Sequence, residues 1–120
     1  MTIQTTYGPG VSASSPSAYG RGTTAEDVSA SDTSLGFHEG RHGLDYLAFL
    51  AANPFPVFTG TVGMAEADFT DAMNDYRDAR LDYQRRIAEH SLEHTDCVGT
   101  TIDDHNLTNG EITTECVAVP

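Results

Sequence analysis

The sequence predicts an α+β domain in which two packed helices are flanked by a few short strands from the N- and C-terminal segments. Three observations lead there. Apolar residues recur at helical spacing from about Thr33 to Ala52. A second stretch, from about Met64 to Glu93, contains neither glycine nor proline. Both ends of the chain are rich instead in Thr, Ser, Gly and β-branched residues. At 120 residues the chain is long enough for one small domain, spanning 1–120, that buries a modest core.

The elements follow in order. Residues 1–32 read as a strand and loop segment. Thr2 to Tyr7 is strand-like, Gly8-Pro9-Gly10 breaks it, and Val11 to Gly22 is a Ser/Gly/Pro loop. Residues 33–52 form the first main helix. Asp32 or Ser34 caps its start, Asn53-Pro54 ends it, and Leu35, His38, His42, Tyr46 and Phe49 share one face. A loop with Pro54, Pro56, Gly60 and Gly63 follows, and its Phe55, Val57 and Phe58 suit packing against the helices. Residues 64–95 form a long helix with Phe69, Met73, Tyr76, Tyr83 and Ile87 on its apolar face and Asp/Arg pairs elsewhere. Finally, Cys97 and Cys116 bracket two strand-like arms, Val98 to Ile102 and Glu111 to Val117, joined through the turn signals at Asn106 and Asn109-Gly110. A disulfide-closed hairpin over 97–116 is the expectation.

Charge and cysteine usage narrow the functional classes. The formal net charge is −12, and all six basic residues are arginine. Such a chain meets nucleic-acid phosphate with like charge, so nucleic acid is excluded as a partner. No apolar run reaches membrane-spanning length, so membrane insertion is not expected. The N-terminus shows no basic region followed by an apolar core, so this chain carries no visible signal peptide. Paired cysteines favour an oxidising compartment, secreted or periplasmic.

The chemistry concentrates in His38-Glu39-Gly40-Arg41-His42, an H-E-x-x-H pattern. On a helix, residues i and i+4 stand one above the other, so both imidazoles can bind one metal ion. Glu39, between them, is placed to act as a general base on water at that ion. A catalytic zinc takes three protein ligands and keeps one position open. Two residues compete for third ligand. Glu66 opens the second helix on the face of Phe69 and Met73, where an unpartnered carboxylate is costly. Asp96 precedes Cys97, whose disulfide would fix its backbone. His90 and His94 are weaker alternatives, and Asp71 and Asp75 weaker still. Asp45, three residues after His42, is a candidate acceptor for the free N–H of a ligand imidazole, or else a surface partner of Arg41. For an oxyanion, Tyr46, Tyr76, Tyr83 and His90 are all eligible.

Through His38-Glu39-Gly40-Arg41-His42 the chain resembles the zincin metallopeptidases. It has no third histidine at the short spacing of the metzincin branch. Glu66 as ligand would resemble the gluzincins, including their very small members, and Asp96 the aspzincins. The layout is also similar to predicted secreted zinc proteases of bacteria. The resemblance implies a Zn2+-dependent peptidase acting on a peptide or protein substrate, with His38 and His42 as ligands and Glu39 as base. Two other readings stand beside it. One is a zinc amidase acting on cell-wall peptide. The other is a non-enzymatic secreted binding module.

Overall fold

The computed structural model describes residues 2–118, so Met1 and the last two residues of the predicted domain lie outside it. The chain forms α1 (Ala25–Ala30), α2 (Leu35–Ala52), α3 (Glu66–Ser91), a π-helical turn (Leu92–Asp96), α4 (Ile102–Thr108) and α5 (Glu115–Ala118). The described residues contain no sheet. The one β-type pairing is an isolated antiparallel bridge between Pro16 and Ser34. The fold is therefore helical, and the predicted α+β class is corrected.

The strands fail for identifiable reasons. Thr2 to Tyr7 forms no strand, and among the described residues no backbone hydrogen bond joins it to another segment. High β-propensity without a partner strand makes no sheet. In the C-terminal arm, Thr101 caps α4 by accepting from the Asp104 N–H at 3.1 Å, and Asp103 and Asp104 occupy the favourable first turn. Asp103 then accepts from Thr113 Oγ1 and from the N–H groups of Glu115 and Cys116, which fixes the start of α5. These caps outcompete the β-branched residues around them. The Cys97–Cys116 disulfide is present, but it closes a helical loop in place of the predicted hairpin.

Ser34 caps α2 by accepting from the Phe37 N–H at 3.1 Å, and Asn53 ends it. The Ser-rich loop is strapped to the start of this helix. Ser17 N–H donates to the Thr33 carbonyl, Leu35 N–H to Ser15 and Gly36 N–H to Ala13, at 2.6 to 2.9 Å. A Cβ at Gly36 would stand 3.0 Å from Ala13, so the missing side chain permits this close approach.

The helix α3 runs beside α2 and then beyond it. The radius of gyration is 18.8 Å, well above the roughly 14 Å of a compact domain this size. Among the described residues, buried apolar residues are few: Phe49, Ala72 and Tyr83. The other buried side chains are polar: Asp27, His38, Asp45, Ser91 and Thr95. They cluster where the end of α3 meets α2 and the loop before α1.

Candidate metal centre

The first turns of α2 bring His38 and His42 to one face, with ring centroids 5.0 Å apart. Across from them, α3 ends in a π-helical turn closed by Cys97 N–H donating to the Leu92 carbonyl at 3.0 Å. The wider turn aims Asp96 back at α2. Asp96 Oδ1 lies 3.1 Å from Nε2 of His38 and 3.1 Å from Nε2 of His42. One ligand atom from each of the three residues lies within 4.8 Å of the others. For zinc–ligand distances near 2.0–2.1 Å and tetrahedral angles, neighbouring ligand atoms stand about 3.3 Å apart. The observed spacing suits that geometry.

The hydrogen bonds around the imidazoles say what belongs between them. His38 Nδ1 lies 3.0 Å from the Arg21 carbonyl, which can only accept, so Nδ1 carries the proton. Neutral His38 therefore turns the bare lone pair of Nε2 toward a carboxylate oxygen. His42 Nδ1 is held by Ser91 Oγ at 2.6 Å, which leaves its Nε2 for the same point. Asp96 Oδ1 is buried with no hydrogen-bond partner. Lone pairs converging on a buried oxygen repel unless a proton or a metal cation sits among them. The group thus fits a metal ion. Without one, burial pulls the His38 pKa down, but the close Asp96 carboxylate and the Arg21 carbonyl outweigh it and the net shift is upward. Burial likewise opposes the ionised form of Asp96, yet the two imidazoles hold its pKa below the ordinary value.

Support for the three residues comes from all sides. Buried Thr95 donates its hydroxyl to Asp45 Oδ2 at 2.6 Å, and its carbonyl accepts from Arg21 N–H at 2.7 Å. Asp45 therefore steadies the turn carrying Asp96, and among the described residues it forms no hydrogen bond with the His38 or His42 imidazole. The Arg21 guanidinium pairs bidentately with buried Asp27, at 2.9 and 2.6 Å, and Gly22 N–H donates to the same carboxylate at 2.8 Å. That clamp fixes the loop whose carbonyl orients His38. Gly20, at φ 65°, lies directly under the site. A Cβ there would collide with the Thr95 carbonyl and stand 2.9 Å from His38 Cε1. The Cys97–Cys116 bond anchors the residue following Asp96.

The remaining sequence candidates separate cleanly. Glu66 begins the 26-residue α3 and Ser91, which holds His42, ends it. At ~1.5 Å rise per residue these ends are about 37 Å apart, so Glu66 cannot share the site. Its carboxylate is exposed in the first turn of α3, where the helix dipole favours it. His90 and His94 lie tilted against each other, with ring centroids 4.3 Å apart, outside the ligand group. Tyr83 donates its hydroxyl to the Asn53 carbonyl, and Tyr76 packs on Phe58. Asp71 and Asp75 lie in the early turns of α3, on the distant side with Glu66.

Glu39 and His42 line a cleft together with Gly43, Tyr46 and the N-terminal residues Ile3, Gln4, Thr5 and Thr6. Tyr19 is a site residue that sequence reasoning missed. Its ring lies edge-on to His38 at 5.3 Å and tilted toward His105 at 5.3 Å. Burial first, then the negative charges of Asp96, Glu39 and Glu115, raise its pKa, so its phenol stays protonated. The signal was an aromatic residue in a tract of small ones, next to two glycines that both adopt positive φ, Gly20 and Gly22.

No protein-family profile, curated protein or solved structure matches this chain. No helix among the described residues is long and apolar enough to cross a membrane.

Proposed function

We propose that this chain is a zinc-dependent peptidase in which His38, His42 and Asp96 hold the metal and Glu39 is the general base. The observation that carries the reading is the convergence of two imidazole nitrogens and one orphaned carboxylate oxygen on a single point beside Glu39. The H-E-x-x-H spacing of the two imidazoles, joined by a carboxylate, supports zinc, a borderline-soft cation held tetrahedrally. A bound zinc ion supplies Lewis acidity toward a carbonyl oxygen and makes neighbouring water more acidic. The group found among the described residues offers three ligands, as catalytic zinc sites do, where structural sites are closed by four.

The chain's own residues supply the rest. Glu39, half-buried in the cleft wall, accepts a proton at its carboxylate and returns it to the leaving amine. Tyr19, kept protonated, offers a hydrogen-bond donor for negative charge developing near His38. Tyr46, one turn beyond His42 and lining the same cleft, bounds the substrate path. The disulfide fits a secreted or periplasmic protein.

The test compares zinc-loaded wild type with Glu39→Gln on a mixed peptide library read by mass spectrometry. The expected outcome is cleavage by the wild type, a loss of at least about 100-fold in Glu39→Gln, and equal zinc content in both. Zinc bound with no peptide cleaved, while peptidoglycan stem peptides are cut, would move the reading to a cell-wall amidase. Zinc bound with neither cut would leave a binding module.

A further inference from the structure

A second cavity opens beside the cleft. It has a volume of about 390 Å³, and its walls include Tyr46 and Leu50 of α2, Tyr83 and Ile87 of α3, and Phe55. Ile3 and Tyr46 line both this cavity and the cleft at Glu39 and His42, so the two adjoin. Their chemistry differs. The cleft side offers Gln4, Thr5, Thr6 and Glu39. In the cavity the Tyr83 hydroxyl is turned away to the Asn53 carbonyl at 2.7 Å, and apart from Gln84 and the Tyr46 hydroxyl the remaining walls are apolar.

Helix geometry sets the distance between them. His42, Tyr46 and Leu50 are successive i, i+4 positions on one face of α2. Tyr46 therefore stands about 6 Å and Leu50 about 12 Å along the axis from the His42 ligand. An extended peptide advances about 3.3 Å per residue. A large side chain one or two residues from a bond held beside Glu39 reaches this depth. Phe55, 52% exposed, and the less exposed Ile87 would lose water contact against it, which is the driving force for an apolar occupant.

We propose that this cavity is a specificity pocket for one large apolar side chain, aromatic or leucine-like, of the peptide held in the adjoining cleft. The assignment rests on the peptidase reading for its substrate, but the pocket's preference can be read without turnover. The first measurement is an amide NMR titration of the zinc-loaded protein with N-acetylphenylalanine amide, and with N-acetylaspartate amide as control. The expected result is saturable shifts at Leu50, Ile87 and Ala88 with the phenylalanine probe only, abolished in Ile87→Trp, which fills the cavity. A wild type that shows no shifts there at millimolar probe, or equal shifts with both probes, overturns the proposal whether or not Ile87→Trp folds. The second measurement is the library cleavage profile. Cut bonds should share an apolar residue at one fixed position, preferred over aspartate by roughly 10–200-fold. Cleavage without that preference overturns the pocket and keeps the peptidase. Probe binding without any cleavage keeps the pocket and removes the peptidase.

Discussion

The two ends of α3 are built on different principles. Past Tyr83, the buried side chains that its C-terminal end and the following turn contribute are polar. Ser91 holds His42, Thr95 holds Asp45, and the loop before α1 is clamped by Arg21 and Asp27. At its N-terminal end the contacts are aromatic and half exposed. Phe58 meets Phe69 and Tyr76 edge-on at 5.7 Å, and Phe69 remains 45% exposed. Apolar contacts tolerate sliding, whereas a buried polar network has one satisfactory arrangement. Positional accuracy is thus concentrated where His38, His42 and Asp96 meet, and the other end serves as a looser brace.

Matched glycine substitutions sharpen this contrast most strongly. Gly20→Ala places a methyl group against the Thr95 backbone at a positive φ. It should cost about 3–4 kcal/mol and disrupt metal binding, from left-handed strain and overpacking together. Gly60→Ala meets mainly the tip of the Phe58 ring, which can swing away. It should cost under about 1 kcal/mol and leave metal binding intact. Urea unfolding of both variants checks this, and equal losses would break the comparison.

Next in size is the disulfide. Replacing Cys97 and Cys116 together with Ala frees a loop of sequence separation 19. The chain-entropy model assigns such a loop about 3 kcal/mol. Because Cys97 follows Asp96, zinc affinity should fall along with stability, and calorimetric titration of the double variant reads both.

The clamp under His38 comes third. The Arg21 hydrogen bonds outweigh burial and hold the Asp27 carboxyl far below its usual range. A pKa depressed by folding gives stability that is whole above the unfolded value of about 4 and is lost as pH falls toward the folded value. Asp27→Asn should therefore cost about 2–3 kcal/mol at pH 7, with the gap to wild type narrowing between pH 4 and pH 2. A gap that widens with acid would contradict the sign.

The sequence made the two main helices legible because their signals are local: a Ser34 cap, an Asn53-Pro54 stop, and apolar residues at three- and four-residue steps. His38 and His42 were legible for the same reason, since a helix alone brings them together. Thr2 to Tyr7 and the two arms around Asn109 carry β-propensity but meet no partner strand among the described residues, and Thr101 and Asp103 act as caps. Asp96 was one of two third-ligand candidates, and Glu66 its rival. What separates them is the length of α3 and the π-helical turn at its end, neither of which the residue pattern displays. Tyr19 and Arg21 reach the site through loop contacts at sequence separations of 17 or more, beyond any local pattern.

The most direct test of the metal centre is zinc titration of wild type, Asp96→Ala and Glu66→Ala, with stoichiometry by elemental analysis and folding checked by circular dichroism. The account predicts one zinc per chain in wild type and in Glu66→Ala, and an affinity loss of at least about 100-fold in Asp96→Ala. Undiminished binding by Asp96→Ala, or no binding by wild type at neutral pH, would contradict it.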